Sequence, residues 1–214
     1  MPEHYFSAEP QAAERRRKIT ILLWGRQVEL NTAAGVFSPD GLDRGTAVLL
    51  RESPVPTGSP TLLDLGCGYG PIALALALHC PEARIDAVDV NERALELCRE
   101  NGAALGVTDR VQVLLPEQVD QARRYDEIWS NPPIRIGKHA LHELLLTWLP
   151  RLKPGGTARL VVGRNLGADT LQAWLIGQGY ACVRAGSAKG FRVLEARPPR
   201  LTATGRQQPS KAAP

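Results

Sequence analysis

The feature that most constrains this chain is an apolar strand that runs into three glycines at alternate positions. Residues 62–65 are followed by Gly66-Cys67-Gly68-Tyr69-Gly70, and a helical pattern begins at Pro71. Glycine adopts positive φ and lets a ligand approach where a Cβ would clash, and a helix N-terminus presents free N–H donors. The sequence therefore predicts a cofactor-binding turn that includes Gly66, Cys67, Gly68 and Gly70.

From residue 62 onward, apolar strands alternate with helical patterns. Strands are predicted at 62–65, 85–89, 111–115, 127–129, 158–162 and 191–196, and helices at 71–78, 92–105, 141–149 and 168–175. This alternation requires a parallel sheet with helices on both faces, and the last strand is expected to return in an antiparallel edge hairpin. The predicted α/β fold is a doubly wound, mostly parallel, seven-stranded Rossmann-like sheet with a small N-terminal β-extension.

Three regions are predicted along the chain. Residues 1–60 are expected to pack on the core as a β-hairpin around Trp24-Gly25-Arg26, a short helix over 42–50 capped near Asp43, and a proline-rich connector. Residues 61–196 form the main domain. Residues 197–214 are rich in Pro, Gln, Ser, Ala and Arg without apolar periodicity, so a disordered tail is expected.

Composition narrows the class of protein. The chain has no run of 18 apolar residues, so no membrane span is expected. Its four cysteines are scattered, which predicts buried, reduced thiols in the cytoplasm. His139 and His142 lack a third ligand at suitable spacing, so no metal site is expected. The net charge of +4 is compatible with a polyanionic partner, and the basic run at 15–18 either contacts phosphates or is solvated.

The acid that precedes the glycine turn indicates which cofactor suits it. The glycines are spaced G-x-G-x-G, unlike the G-x-G-x-x-G of dinucleotide-binding turns, and Asp64 stands two residues before the first. A carboxylate at that position would repel a pyrophosphate and attract a cation. S-adenosylmethionine has a sulfonium and an ammonium group and no phosphate, so it is the predicted cofactor.

A second acid follows the next predicted strand. Asp89, with the adjoining Val90, lies at the carboxyl end of 85–89, and its two oxygens can accept both hydroxyls of a ribose. Asp86 is an alternative ribose ligand, but it lies in the middle of the predicted strand and out of phase with Asp89. Alternatively, Asp89 caps the following helix, although Asn91 suits that position better.

The fourth core strand ends in Ser130-Asn131-Pro132-Pro133. Ligands of open α/β sheets bind beyond the carboxyl ends of the strands, so Asn131 is expected in the same crevice as Gly66 and Asp89. The prolines fix the backbone and remove two N–H donors, leaving the Asn131 side-chain oxygen and the Pro132 carbonyl as acceptors. Such an array suits a planar amino group that becomes tetrahedral during methyl transfer; preorganised groups contribute about 3–4 kcal/mol each. Asn131, Pro132 and Pro133 are the predicted catalytic residues, and the alternative is a rigid turn.

These motifs resemble the class I S-adenosylmethionine-dependent methyltransferases. The segments Gly35-Val36-Phe37-Ser38-x-x-Gly41-Leu42-Asp43-x-Gly45-Thr46, Asn131-Pro132-Pro133-Ile134-Arg135 and Gly190-Phe191-Arg192-Val193-Leu194 are similar to the catalytic domain of bacterial small-subunit ribosomal RNA guanine-N2 methyltransferases. The resemblance covers roughly residues 5–196 and implies methyl transfer to a guanine amine in ribosomal RNA. It also implies an adenine contact after the third core strand, where only Glu117 offers an acid.

Two departures from the family stand out. The 214 residues leave no room for the second domain that such enzymes often carry, so recruitment would depend on this surface, a homodimer or a ribosomal particle. Ile134 replaces the aromatic residue that usually stacks on the target base, and Phe37 is the candidate substitute. Arg135 and Lys138 could bind flanking phosphates or be solvated. Methylation of a protein glutamine or of adenine N6, and a non-catalytic cofactor-binding role, are the alternatives.

Overall fold

The computed structural model describes residues 16–199, which form nine strands, five α-helices and four short 3-10 turns. The strands are β1 (Arg16–Leu23), β2 (Arg26–Ala33), β3 (Thr61–Leu65), β4 (Arg84–Val88), β5 (Val111–Leu114), β6 (Tyr125–Ser130), β7 (Leu152–Gly163), β8 (Ala181–Ala188) and β9 (Phe191–Arg197). The helices are α1 (Arg44–Glu52), α2 (Pro71–His79), α3 (Glu92–Ala104), α4 (Lys138–Trp148) and α5 (Ala168–Gly177). The first 15 residues and most of the predicted tail, 200–214, lie outside the described residues.

The N-terminal extension is the predicted β-hairpin. β1 and β2 pair antiparallel around the two-residue turn Trp24-Gly25, where both φ angles are positive (41° and 83°), as a type I′ turn requires. Asn101 of α3 donates to the carbonyl of Asn31 and accepts from its N–H, at 2.9 and 2.7 Å. The hairpin is therefore fastened to α3.

The other seven strands form one sheet in the order β5-β4-β3-β6-β7-β9-β8. The first five are parallel, and β9 runs antiparallel to both β7 and β8. The helical connections between parallel strands cover both faces, as doubly wound topology demands. The predicted fold class is confirmed. β3 lies between β4 and β6, so the loops after these three strands are neighbours at the carboxyl edge.

Alternating side chains divide the core into two layers. Leu62, Trp129 and Val161 pack with α1, α2, α3 and the hairpin, whereas Leu63 and Ile128 pack with α4 and α5. Side chains one residue apart on a strand point to opposite faces, so each central strand is apolar on both sides.

The end of the sheet contains the predicted antiparallel edge hairpin. β9 pairs with β8 and also with β7, so β8 forms the edge. The bounds of β8 were not predicted. Most of its residues are exposed, so its sequence lacks the alternation of apolar and polar residues that marks a strand. β9 also continues through Arg197, the first residue of the predicted tail.

Candidate active site

The glycine turn and Asn131 open onto one cavity at the carboxyl edge of the sheet. β3 leads into the turn and β6 leads into Asn131, and these strands are direct neighbours. Ser130 fixes their loops together, since its hydroxyl donates to the Leu65 carbonyl at 2.6 Å. The residues that line the cavity include Gly66, Cys67, Gly68, Phe37, Asp43 and Asn131. The structure therefore brings together two motifs that are more than sixty residues apart in the chain.

The three glycines of the turn have different surroundings. Gly66, Gly68 and Gly70 all have positive φ, at 76°, 56° and 99°. A Cβ on Gly66 or Gly68 would meet nothing within 4 Å, whereas a Cβ on Gly70 would lie 2.7 Å from the Cys98 sulfur. Gly66 and Gly68 therefore leave the backbone accessible to a ligand, and Gly70 lets the turn pack against α3.

Asp89 lies at the outer side of the glycine turn. Its two carboxylate oxygens accept the backbone N–H of Gly68 at 2.8 Å and of Asn91 at 3.0 Å. Burial raises the pKa of the Asp89 carboxyl, and these N–H groups oppose the rise. Asn91 caps α3 by accepting from Ala94, as predicted, and Val90 is 42% exposed. Asp89 is not among the residues lining the cavity, so a ligand reaching both would cross the glycine turn.

Asp64 lies behind the glycine turn rather than at its surface. Its side chain is fully buried, and Oδ2 accepts the N–H of Ala73 in the first turn of α2 at 2.8 Å. Oδ1 has no hydrogen-bond partner among the described residues. Burial, with a smaller contribution from the charge of Asp89, raises the pKa of Asp64 to about 8. Below about pH 8 the Asp64 carboxyl therefore keeps its proton, and its Oδ1 lies beneath the turn without a partner among the described residues.

The competing acid, Asp86, has a structural role. It is buried in β4 and accepts from the Arg123 guanidinium at 3.0 and 3.1 Å and from the Tyr125 hydroxyl at 2.8 Å. The bonds to Asp86 raise the pKa of Arg123, whereas burial, together with the charge of Asp86, raises the pKa of Tyr125. Asp86 thus joins β4 to β6 and does not line the cavity.

Hydrogen bonds fix the orientation of the Asn131 side chain. Its Nδ2 donates to Asp43 Oδ1 at 2.7 Å and to the Thr46 hydroxyl at 3.1 Å. Both amide N–H bonds are thereby used, and Oδ1 remains as an acceptor. Of the predicted acceptor pair, the Pro132 carbonyl differs from expectation, because it already accepts the N–H of Ile134 at 2.8 Å. One lone pair of that carbonyl remains.

The first turn of α1 supplies the partners of Asn131. Asp43 caps the helix, as predicted, by accepting the N–H groups of Gly45 and Thr46 at 2.7 and 3.1 Å. A Cβ on Gly45 would lie 2.9 Å from Asp43 Oδ1, 3.1 Å from Phe191 Cε1 and 3.3 Å from Asn131 Oδ1. The helix therefore packs on Asn131 as closely as a glycine permits.

Sequence reasoning did not assign Asp43, Thr46 or Phe191 to the site. Asp43 was recognised only as a cap, and Asp43-x-Gly45-Thr46 belongs to the same family-like segment as Phe37. Phe191 reaches the site because β9 runs antiparallel and so begins at the carboxyl edge. That position depends on strand order, which the sequence does not display.

The predicted substrate residues surround the cavity unevenly. Phe37 lines it and is 43% exposed. Its loop is held by the Gly41 carbonyl, which accepts the Ser38 hydroxyl at 2.7 Å and the Tyr69 hydroxyl at 3.1 Å. Ile134 instead packs against the layer of α4 and α5.

Lys138 is exposed at the start of α4, and Arg135 lies in the preceding turn, its side chain being outside what the structure describes. Glu117 is exposed in the short turn after β5, at the same edge of the sheet.

Within residues 16–199, no group of His, Cys, Asp and Glu side chains is arranged to hold a metal ion. His142 instead stacks on Trp174 at 3.8 Å, and His139 lies 3.4 Å from Glu143. All four cysteines are buried and free. In the same part of the chain, no helix has the length and apolar character needed to cross a membrane.

Comparison with known proteins identifies relatives over most of the chain. A family model described as the methyltransferase small domain matches residues 27–195. The Bacillus subtilis protein YbxB is 35% identical over 172 residues, which cover 79% of this chain and 86% of that protein. The ribosomal RNA small subunit methyltransferase C of Pseudomonas aeruginosa is 33% identical over 195 residues, which cover 89% of this chain and 57% of that enzyme.

A solved structure has the same arrangement. The 16S rRNA N2 methyltransferase RsmC of T. thermophilus, in complex with AdoMet and guanosine, superposes with a TM-score of 0.74 at 25% identity. The match covers 89% of this chain and 52% of that one. This chain therefore spans about half the length of the ribosomal RNA methyltransferases that it matches.

Proposed function

The chain belongs to the methyltransferase small domain family, and from this premise we propose that it methylates the exocyclic N2 amine of a guanine in ribosomal RNA. It is a methyltransferase that uses S-adenosylmethionine as methyl donor. The guanine amine and the roles of individual residues are our proposal. The observation that carries it is the fixed orientation of Asn131, which lines one cavity with the glycine turn and whose Oδ1 keeps its capacity to accept a hydrogen bond.

The residues of the turn fit S-adenosylmethionine. Gly66 and Gly68 leave space where a Cβ would otherwise stand, and buried Asp64 lies directly behind the turn with one oxygen that has no hydrogen-bond partner among the described residues. Among the residues that the structure describes, no Lys or Arg lines the cavity, whereas Asp43 does, so the charge of the cavity suits a cation better than a phosphate. We assign Gly66, Cys67, Gly68 and Gly70 to the methionine part, Asp89 and Val90 to ribose, and Glu117 to the neighbourhood of adenine.

The chain's own residues position the acceptor nitrogen. When bound, S-adenosylmethionine supplies an electrophilic methyl carbon on its sulfonium sulfur. Asn131 Oδ1 accepts an N–H of the guanine amine and stabilises the positive charge that develops on nitrogen; such preorganised groups contribute about 3–4 kcal/mol. Transfer of that methyl group would exchange its C–S bond for a bond to the guanine nitrogen, and one N–H proton would then pass to water. Pro132 and Pro133 restrict the backbone next to Asn131. Fixed positioning lowers the barrier of a reaction that requires the reacting atoms to lie in line.

The loop that carries Phe37 has to move for a base to reach Asn131. The cavity has a free volume of about 30 Å³, close to that of one water molecule. Phe37 lines it and is partly exposed, so displacement of this side chain opens the cavity and leaves an aromatic ring beside the incoming base. We assign base stacking to Phe37, with Ile134 as an apolar neighbour and Lys138 and Arg135 as phosphate contacts.

The names of the relatives support ribosomal RNA as substrate. Relatives at 33% identity are small-subunit ribosomal RNA methyltransferases, and the superposed structure holds AdoMet and guanosine. A ribosomal substrate is consistent with the mildly basic net charge of +4. It also implies a cytoplasmic location, which we include in the proposal.

The product of the reaction tests this function. Ribosomal RNA from cells that lack the protein is incubated with the purified protein and S-adenosylmethionine, and its nucleosides are analysed by mass spectrometry. We expect N2-methylguanosine with the wild-type protein and a loss of at least a hundredfold with Asn131→Ala, whose cofactor affinity stays within a few-fold. Cofactor affinity is measured by calorimetry on both proteins.

Other outcomes contradict the proposal. N6-methyladenosine as the sole product would make this an adenine methyltransferase, and methylglutamine in ribosomal proteins would make the substrate a protein. If Asn131→Ala lost cofactor affinity and activity equally, Asn131 would be a structural turn residue instead. A protein that binds S-adenosylmethionine but methylates none of these would be a non-catalytic partner.

A further inference from the structure

A second, larger depression lies beside the active-site cavity. It has a free volume of about 570 Å³ and runs between the turn of the N-terminal hairpin, α1 and the β8–β9 turn. Its lining includes Leu22, Trp24, Leu42, Val48, Arg51 and Lys189. We refer to this depression as the α1 groove.

The α1 groove adjoins the active site through two shared elements. Leu42 lines the groove, while the next residue, Asp43, lines the cavity and binds Asn131. Lys189 lines the groove from the β8–β9 turn, and Phe191, two residues later, lies next to Gly45. A chain leaving the cavity on this side therefore enters the groove directly.

Apolar surface forms the floor of the groove. Leu22 lines the groove and is 61% exposed, so it presents apolar surface to a ligand there. Trp24 is held in a fixed position, because its indole N–H donates to the Leu50 carbonyl and its ring meets Trp129 edge-on at 5.8 Å. Flat apolar surfaces of this kind are suited to unstacked bases.

Basic residues border the groove, and none of its described lining residues is acidic. On α1, Arg44, Ala47, Val48 and Arg51 follow at helical spacing, so they share one face, and the last three line the groove. Arg51 keeps an exposed ion pair with Glu52. The β8–β9 turn adds Lys189.

Arg44 occupies a position that helix stability does not favour. It is exposed at the first position of α1, and that first turn contains no acidic residue. The N-terminus of a helix carries partial positive charge, so a cation there is destabilising by a few tenths of a kcal/mol or more. Arg44 directly follows Asp43, which lines the cavity, and shares a helix face with Ala47, Val48 and Arg51, which line the groove. Its charge therefore suits an anion bound outside the helix.

We propose that the α1 groove binds the single-stranded RNA that flanks the methylated guanine, with phosphates on Arg44 and Lys189 and a base on the surface of Leu22 and Trp24. This inference rests on the function proposed above and specifies how this chain would hold its substrate. The groove supplies both elements of single-strand recognition, a cationic border for the backbone and an apolar floor for the bases.

Binding of a labelled RNA tests the groove without requiring catalysis. The probe is a fluorescently labelled, single-stranded RNA of twelve nucleotides that contains guanine, and anisotropy gives Kd between 50 and 200 mM salt. Arg44→Gln and Lys189→Gln are compared with wild type and with Arg84→Gln, whose exposed cation lies at the opposite, amino edge of the sheet. Melting temperature and S-adenosylmethionine affinity are measured for each protein.

We expect Kd for RNA to rise about three- to tenfold for each groove variant. The slope of log Kd against log salt concentration should become smaller by about 0.7, because one phosphate contact is lost. Arg84→Gln should match wild type. S-adenosylmethionine affinity should be unchanged throughout. Arg44→Gln should melt at the same temperature as wild type or slightly higher, since it removes a cation from a helix N-terminus. Weaker RNA binding together with undiminished stability is a combination that a structural role would not give.

Several results would overturn the inference. Wild-type protein that does not bind the probe below about 0.1 mM at low salt has no RNA site of this kind. Equal Kd values for the groove variants and Arg84→Gln would place RNA elsewhere. If the groove variants changed a sedimenting dimer to a monomer without altering RNA affinity, the groove would be an interface between copies. Probe binding that depends on the groove, without any methylated guanine, would instead contradict the proposed function alone.

Discussion

The side-chain nitrogen of Asn131 donates to Asp43 Oδ1 across 2.7 Å, which joins the loop after β6 to the first turn of α1. The same Asp43 oxygen accepts the N–H groups of Gly45 and Thr46. One carboxylate oxygen therefore caps a helix and orients an amide of the active site. Because both N–H bonds of Asn131 are used, its carbonyl oxygen is the group left for a substrate.

The dual role of Asp43 can be separated by two substitutions. Asp43→Ala removes both the cap, worth about 1 kcal/mol, and the acceptor for Asn131, so we expect lower stability and a kcat reduced at least tenfold. Asp43→Asn keeps a capping oxygen, so it should retain most of the stability and most of the kcat of the wild-type protein. Denaturant unfolding and single-turnover methylation of ribosomal RNA measure the two effects. If the kcat of Asp43→Ala equalled that of wild type, Asp43 would act only as a cap.

Gly45→Ala separates helix propensity from the packing of the site. Alanine is favoured over glycine in a helix by about 1 kcal/mol, but its Cβ would stand 2.9 Å from Asp43 Oδ1 and 3.3 Å from Asn131 Oδ1. We expect methyl transfer to fall at least tenfold, because the Asn131 amide is displaced, while S-adenosylmethionine affinity stays within a few-fold. Gly177→Ala is the matched control, since a Cβ there meets nothing within 4 Å. Equal activity of the two variants would show that α1 shifts without disturbing Asn131.

Asp89 is predicted to bind the ribose of the cofactor. Asp89→Ala should raise the dissociation constant of S-adenosylmethionine at least tenfold, since charge-assisted hydrogen bonds contribute about 1.5–3 kcal/mol. Asp89 also accepts from Gly68, so the variant could act by loosening the turn. Asp89→Asn still offers the Gly68 N–H an acceptor, so it should lose less affinity for S-adenosylmethionine than Asp89→Ala does. Calorimetric titration of the three proteins measures this, and an unchanged affinity in Asp89→Ala would remove the ribose assignment.

The buried carboxyl of Asp64 gives stability a defined pH dependence. Its pKa is about 8 in the folded protein, whereas an unfolded Asp titrates near 4, so between these values the folded state keeps a proton that the unfolded state has released. This contribution to stability is fully present below about pH 4. It is lost as pH rises to about 8, by at most about 1.4 kcal/mol per pH unit.

Asp64→Asn should remove that dependence, because the amide does not titrate. We therefore expect the variant to gain stability relative to wild type as pH increases from 5 to 8, as measured by urea unfolding at three pH values. Asp126→Asn is a useful contrast, because its partner Lys153 and other donors lower the pKa of the Asp126 carboxyl, so this variant should lose stability relative to wild type above pH 4. A constant difference between Asp64→Asn and wild type would mean that Asp64 does not titrate in this range.

Most of the fold followed from local patterns. The alternation of strands and helices predicted the parallel sheet, and all four core helices lie where the apolar spacing indicated. Asp43 and Asn91 were recognised as caps because a short polar side chain before a helical pattern satisfies free N–H groups. β8 was not delimited, because an edge strand with exposed side chains carries no clear alternation.

The sequence by itself determined that a glycine turn and an Asn-Pro-Pro turn each follow a buried strand, since both motifs depend on neighbours within a few residues. That the two turns meet over one cavity was a reasonable prediction, because parallel strands share a carboxyl edge. Only the tertiary structure decided that Asp43 holds Asn131, that Asp64 lies beneath the turn, and that Phe191 and the α1 groove adjoin the site. These relations depend on strand order and on how closely helices pack, and both arise from contacts between residues far apart in the chain.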